Sequence, residues 1–324
     1  LSDAQQDAIE SHMTGSATVP SASATQVDLI GEYASHIVGL FPVLAFANIR
    51  VVLDCANGAM SEVAPEVFAR LGATVIVLND RPTGKNINDS CGATHPEVVS
   101  EAVRLHKADL GLAFDGDGDR VIAVDHIGDV VDGDHLIALA AVDLHKRGKL
   151  KSNSVAVTVM TNAGFHQAME KAGINVITTP VGDRNILVAF DEHGLVLGGE
   201  QSGHIIYRDH ATTGDGLLAG AMLVDLVRRE AQPLATLARN AMTSLPQTLI
   251  NIRVAQVVSN PAEQLAAEIA KATQQLNGVG RVLLRASGTE PVVRVMVEAA
   301  TQETADAVAQ GLAEVASQHF GGVR

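Results

Sequence analysis

Residues 50–78, RVVLDCANGAMSEVAPEVFARLGATVIVL, read as a strand (Arg50 to Cys55), a turn at Asn57-Gly58, a helix (Ser61 to Leu71) stopped by Gly72, and a second strand (Thr74 to Leu78). A hundred residues later the pattern returns. Ser154 to Met160 has strand character, Asn162-Ala163-Gly164 turns, Phe165 to Lys171 is helical up to Gly173, and Asn175 to Thr179 is a strand again. The likeness extends downstream. The first copy continues through two apolar runs, Leu110 to Phe114 and Val121 to Val124, to Asp132-Gly133-Asp134 opening a helix that runs to about Lys146. The second continues through Leu195 to Leu197 and Ile205 to Tyr207 to Gly214-Asp215-Gly216 opening a helix that runs to about Arg229. Two similar α/β domains in tandem, each of βαβ type with a mixed sheet, are the economical reading. Beyond Pro246 the pattern becomes strand Leu249 to Val254, helix Pro261 to Leu276, strands Arg281 to Arg285 and Val292 to Glu298, and helix Glu303 to Ser317, a smaller α+β domain. The expected division is 1–25, 26–130, 131–245 and 246–324.

The chain is 324 residues long with 47% hydrophobic and 19% charged residues, which suits a globular protein of more than one domain. Its net charge of -14 repels nucleic acid and anionic membranes, so neither is expected as a partner, and an anionic substrate has to be held by local arginines. Cys55 and Cys91 are too few for a disulfide framework or zinc site, which fits a reducing cytoplasm. No stretch is long and apolar enough for a membrane span, and no signal peptide is visible.

Between the runs 110–114 and 121–124 stands Asp115-Gly116-Asp117-Gly118-Asp119-Arg120. Alternating glycines let the backbone turn tightly, so the three carboxylates crowd one small volume, where they are stable together only with protons or a cation among them. Hard oxygen ligands on a short loop suit Mg²⁺, and Arg120 adds a fork able to hold a phosphate oxygen beside it. A solvated acidic turn is the plainer alternative. An EF-hand calcium loop fails, because Arg120 stands where that loop needs glycine and His126 where it needs a bidentate Glu.

Two further loops are equipped for binding. Arg285-Ala286-Ser287-Gly288-Thr289-Glu290-Pro291, followed by Arg294, offers two guanidiniums, two hydroxyls and backbone NH groups to a phosphate dianion. The plain alternative is a polar hairpin tip. Gly199-Glu200-Gln201-Ser202-Gly203-His204 offers a carboxylate, an amide, a hydroxyl and an imidazole to a polyol, though a single loop histidine is most often merely solvated.

The three loops, in this order and on these domain types, closely resemble the α-D-phosphohexomutase family. The resemblance implies Mg²⁺ bound by Asp115, Asp117 and Asp119, a phosphate contact from Arg120, sugar contacts from Glu200 and Ser202, and proton transfer by His204. It implies a clasp for the non-reacting phosphate made by Arg285, Ser287, Gly288, Thr289 and Arg294. Val181-Gly182-Asp183-Arg184 and Asn86-Ile87-Asn88 resemble the branch acting on glucosamine phosphates, which adds Asp183 and Arg184 as substrate-binding residues. The implied reaction interconverts glucosamine 6-phosphate and glucosamine 1-phosphate through a bisphosphate; a glucose or mannose phosphate mutase, or a binding module without chemistry, are the alternatives. A homodimer is allowed.

The family carries a further N-terminal α/β domain whose serine, in a Ser-His-Asn-Pro loop, is phosphorylated and donates its phosphoryl group. Residues 1–25 are expected to be the last helix of that domain, opened by a capping box at Ser2 and Gln5, with a linker over 14–26. The rest of that domain is expected to be missing and the chain alone to be inactive. Ala34-Ser35-His36 is not the donor loop, because it lies in a helical pattern and lacks the Asn-Pro.

Overall fold

The computed structural model describes residues 3–13, 27–287 and 290–322. Ser2 of the expected capping box and the expected linker over 14–26 lie outside the described residues. Helix α1 (Asp3–Met13) is exposed over residues 4–13.

The first unit contains α2 (Ile30–Gly39), β1 (Arg50–Asp54), α3 (Met60–Arg70), β2 (Thr74–Leu78), α4 (Pro96–His106), β3 (Leu110–Phe114), β4 (Val121–Asp125) and β5 (Val130–Val131). Its sheet has the order β2-β1-β3-β4-β5, with β1 parallel to β2 and β3, and β4 antiparallel to β3. The second unit contains α5 (Gly133–Lys146), β6 (Ser154–Thr158), α6 (Ala163–Ala172), β7 (Asn175–Thr179), α7 (Asp183–His193), β8 (Leu197–Gly199), β9 (Ile205–Tyr207), α8 (Gly216–Glu230) and α9 (Leu234–Ala241). Its sheet order is β7-β6-β8-β9, again parallel except for the last strand. Position for position, β6, β7, β8 and β9 repeat β1, β2, β3 and β4, as the two copies in the sequence predict. The acidic loop and the Glu200 loop therefore occupy the same place in their units, the hairpin after the third strand.

The third unit is an antiparallel sheet, β10 (Gln247–Arg253), β11 (Gly280–Ala286) and β12 (Val292–Ala299) in the order β10-β12-β11, covered by α10 (Pro261–Gln264), α11 (Ala266–Gln275) and α12 (Gln302–Phe320). Together the three units make the expected class, two tandem α/β units with mixed sheets and a smaller α+β one.

Some local expectations need correction. The single helix over 261–276 is two, broken at Leu265, whose φ of -116° and ψ of 29° leave the helical region. The strand expected over 195–197 lies two residues later, because the Leu195 amide closes α7 on the Phe190 carbonyl. Strand β6 stops at Thr158, where a turn begins that returns the Thr161 amide to the Thr158 carbonyl. Helix α6 begins at Ala163 because the Asn162 side chain accepts from the Gly164 amide. Helices α4, α7 and α9 stand where the sequence reading names no element, although Pro96 opens α4 and Pro233 precedes α9.

Among the described residues the largest apolar core runs from Ala34 to Met242 through both α/β units, smaller ones lie around Val52 and around Ala156 on the other faces of the two sheets, and a separate one fills the third unit. Helix α8 makes the first core continuous: it starts beside β9 and packs on β3 and β4, where Gly220 lets Leu112 approach so closely that a Cβ would stand 2.9 Å from it. The Tyr33 hydroxyl on α2 adds a polar tie, donating to the Asp215 carboxylate at the start of α8 (2.9 Å). Ser35 is on α2, where its hydroxyl donates to the Gly31 carbonyl (2.8 Å) and accepts from Arg70 (3.3 Å), so it is a helix-surface residue. Among the described residues no helix is long and apolar enough to cross a membrane.

Candidate active site

The loop between β3 and β4 gathers its three carboxylates as the glycine spacing predicts. Asp115, Asp117 and Asp119 each offer an oxygen, and these oxygens lie within 4.8 Å of one another. Asp115 is anchored from below: its Oδ1 accepts from the amides of Gly118 (3.1 Å) and Arg120 (3.0 Å). At Gly116 the side chains of Asn88 and Ile87 come so close that a Cβ would stand 2.6 to 2.7 Å from them and they would have to shift. Burial, then the neighbouring Asp117 and Asp119, push the Asp115 carboxyl up to about 7. Asp119 Oδ1 is buried and has no hydrogen-bond partner, with Arg120 Nε 3.6 Å away. A crowded, partly desolvated set of hard oxygens with an orphaned acceptor fits a divalent cation, and the strands on either side exclude an EF-hand.

The Glu200 loop is fused to this one. The Val121 amide donates to the Gly203 carbonyl (3.1 Å), and Arg120 forms a β-bridge with His204. Gly203 has a φ of +91°, and any Cβ there would meet Val121 backbone at 2.2 Å. His204 is 4% exposed, not solvated as its loop position suggests. Its Nδ1 lies 3.0 Å from Asp119 Oδ2, its ring rests against Gly214, and its Nε2 is buried without a partner. The imidazole thus sits beneath the acidic triad, holding one of its members.

Glu200 Oε1 accepts from the Gly182 amide (3.0 Å), which brings the start of α7, with the exposed Asp183 and Arg184, to the same place. Ser202 is exposed at the tip. Since β6, β7 and β8 are parallel, the loops following them, 159–162, 180–182 and 200–204, share the carboxyl edge of the second sheet, where open α/β sheets bind ligands.

In the third unit Arg285 and Arg294 are cross-strand partners on β11 and β12. The Nε atoms of both are buried without partners, Ser287 is 6% exposed, and burial, then Arg294, lower the pKa of Arg285. Two guanidiniums crowded in this way are equipped to hold an anion. Gly288 and Thr289 lie outside the described residues.

Several polar residues escape the sequence reading. Arg281 and Glu298 form a buried ion pair that reaches the loop after β6 (2.9 Å between Nε and Oε2), and Asp134 receives the Asn162 amide (2.8 Å). Opposite charges four residues outside the arginine pair are the only sequence signal for the first, and it is legible only with the strand register in hand.

Comparison with known proteins places these features. Family models for phosphoglucomutase/phosphomannomutase match alpha/beta/alpha domain II over residues 31–128, alpha/beta/alpha domain III over 132–245 and the C-terminal domain over 249–315. The chain is 49% identical to phosphoglucosamine mutase of Frankia casuarinae over 97% of its own length and 70% of the relative's. It is 48% identical to the phosphoglucosamine mutase of Streptomyces coelicolor over 90% of its length and 64% of that protein's. Among solved structures, a phosphoglucomutase/phosphomannomutase family protein from Burkholderia thailandensis superposes with a TM-score of 0.78 at 24% identity, covering 99% of this chain and 70% of that one. The N-acetylphosphoglucosamine mutase of Aspergillus fumigatus, crystallised with GlcNAc-6P and magnesium, superposes with a TM-score of 0.72 at 21% identity, over 92% and 68%. The chain thus spans about two thirds of the length of the relatives it matches. With family models covering most of its residues and half of its sequence shared with a curated relative, the chain belongs to the phosphoglucomutase/phosphomannomutase family.

Proposed function

We propose that the protein interconverts glucosamine 6-phosphate and glucosamine 1-phosphate, moving a phosphoryl group through a bisphosphate intermediate. The observation that carries this reading is the 3.0 Å hydrogen bond joining Asp119 of the acidic triad to His204 at the end of the Glu200 loop, which fuses a metal site to a sugar-contacting loop. The naming of relatives at about half identity as phosphoglucosamine mutases supports the substrate.

In this reading Asp115, Asp117 and Asp119 hold Mg²⁺, which supplies neutralisation of charge on the phosphoryl group in transfer. Arg120, exposed at the rim of the triad, contacts the same group. Glu200 and Ser202, with Asp183 and Arg184, bind the sugar, while Arg285, Ser287, Gly288, Thr289 and Arg294 clasp the phosphate that is not reacting. The contact with Asp119 and the burial of Nε2 favour His204 as the group that positions a metal ligand over the proton-transfer role that the loop motif implies.

The test is calorimetric titration of the chain, with Mg²⁺ present, with glucosamine 6-phosphate, glucose 6-phosphate and mannose 6-phosphate, together with mutase assays of the full-length protein on the same three. Preference for glucosamine 6-phosphate in both is the expected result. Binding and turnover favouring glucose or mannose phosphate would overturn it.

A further inference from the structure

Among the described residues the third unit shares no apolar core with the rest of the molecule, so polar contacts have to decide where its phosphate-clasping arginines stand. The contact is polar and dense. Glu298 is 0% exposed and its carboxylate is fully engaged: Oε2 accepts from Arg281 Nε (2.9 Å) and the Ala163 amide (2.9 Å), and Oε1 accepts from Arg281 Nη2 (3.0 Å). Arg281 spends its other hydrogens on the same loop, Nη1 on the Val159 carbonyl (2.9 Å) and Nη2 on the Thr161 carbonyl (2.5 Å). Beside them the Asn162 side chain receives the Leu245 amide (2.9 Å) and donates to the Leu245 carbonyl (3.0 Å), pinning the connection between the two units.

We propose that Arg281 and Glu298 are positioning residues: their ion pair fixes the C-terminal sheet on the loop after β6 and so sets how far Arg285 and Arg294 stand from the sugar-contacting loops. This rests on the functional reading above. Arg281 faces Glu298 across β11 and β12, and Arg285 faces Arg294 four residues along the same two strands. An even spacing puts both pairs on one face, about 14 Å apart at the usual rise of a strand. The loop they grip follows β6, on the same sheet edge as the loops of Glu200 and Asp183. A tilt of roughly 10° at the grip would carry the far arginines by about 2.5 Å over that lever, more than a charge-assisted hydrogen bond tolerates. Buried ion pairs contribute little net stability but hold one geometry, which is what two grips on one small ligand require.

The experiment uses two probes, inorganic phosphate followed by NMR and glucosamine 6-phosphate followed by calorimetry, on the unaltered chain, Arg281→Met and Arg281→Lys. Phosphate needs only the clasp within the third unit; the sugar phosphate needs the clasp and the sugar loops at the right separation. Arg281→Met is expected to leave phosphate affinity within about twofold and to weaken glucosamine 6-phosphate by at least about tenfold, the scale on which a second tethered grip contributes, with Arg281→Lys between. Should Arg281→Met fail to fold, Glu298→Gln is read in the same titrations with the same expectation. Equal loss for both probes, or no loss for either, would overturn the inference alone. Failure of the unaltered chain to bind glucosamine 6-phosphate would overturn the functional reading and this inference with it.

Discussion

His204 Nδ1 stands 3.0 Å from Asp119 Oδ2, and the imidazole ring lies on Gly214, ten residues later, so closely that a Cβ at 214 would be 2.4 to 2.6 Å from three of its atoms. The glycine therefore determines where the histidine sits, and the histidine determines where one carboxylate of the acidic triad points. Gly214→Ala should displace the ring and release Asp119 without touching any proposed ligand. Its Mg²⁺ affinity is expected to fall by roughly tenfold or more, the usual consequence of losing an outer partner of a ligand, and His204→Ala should behave alike. Calorimetric titration with Mg²⁺ decides it; unchanged affinity in both variants would remove His204 from the site.

Arg285 and Arg294 oppose each other across β11 and β12, with Glu290 3.7 Å from Arg294. Like charges directly opposite in a sheet repel, so the pair costs the fold a little stability that an anion bound as proposed would offset. Arg285→Ala and Arg294→Ala should each weaken glucosamine 6-phosphate binding by about 1.5 to 3 kcal/mol, the worth of charge-assisted hydrogen bonds, while leaving the unliganded chain no less stable. The loss should be similar for the 1- and 6-phosphates, since in the proposed function this clasp meets whichever phosphate is not reacting. A variant that loses one isomer and keeps the other would contradict the role.

Much of this architecture is legible before any coordinates. Strand-length apolar runs bracket the acidic turn, and their recurrence around the Glu200 loop announces that the two loops are equivalent. What the sequence conceals is whatever depends on register or on distant packing. Helix α4 is named by no expectation, and what its valines do becomes visible only with the sheet in place, where Val99 and Val103 are buried against it. His204 reads as solvated because the glycine that buries it comes from the following turn. Arg281 and Glu298 meet only once β11 and β12 are paired, and the duplicated units share one core through α8, which a division by sequence pattern treats as separate.

Asp134 is a second carboxyl with a displaced titration, away from the acidic triad. It is fully buried at the start of α5, accepts from the Asn162 amide (2.8 Å), and burial, then the nearby Asp132, push it up from 3.8 to about 7. A carboxyl raised in the folded state binds its proton more tightly there than in the unfolded chain. Its contribution is complete at low pH and is lost as pH rises through about 7, at most about 1.4 kcal/mol for each unit. Asp134→Asn keeps an acceptor for the Asn162 amide and has nothing to titrate. Urea unfolding between pH 5 and 8 should show a flatter stability profile for the variant; parallel profiles would mean that Asp134 is already ionised at the lower pH.

The acidic triad makes the same kind of statement about metal binding. Asp115 is pushed up to about 7 by burial and by Asp117 and Asp119, so near neutral pH the empty triad carries a proton for part of the time. A cation bound by three carboxylates displaces that proton. Mg²⁺ affinity should therefore climb as pH rises from about 6 toward 8 and level off above the Asp115 titration. Calorimetry at pH 6.5 in buffers of different ionisation enthalpy should register proton release that vanishes at pH 9. Asp117→Ala takes away the second-largest cause of the shift, so Asp115 should titrate lower and the release should move to lower pH, while affinity at pH 9 falls because a ligand is gone. The two effects separate the roles of Asp117. Release unchanged by the substitution would mean that burial and Asp119 raise Asp115 without Asp117, and affinity unchanged at pH 9 would mean that Asp117 is not a ligand.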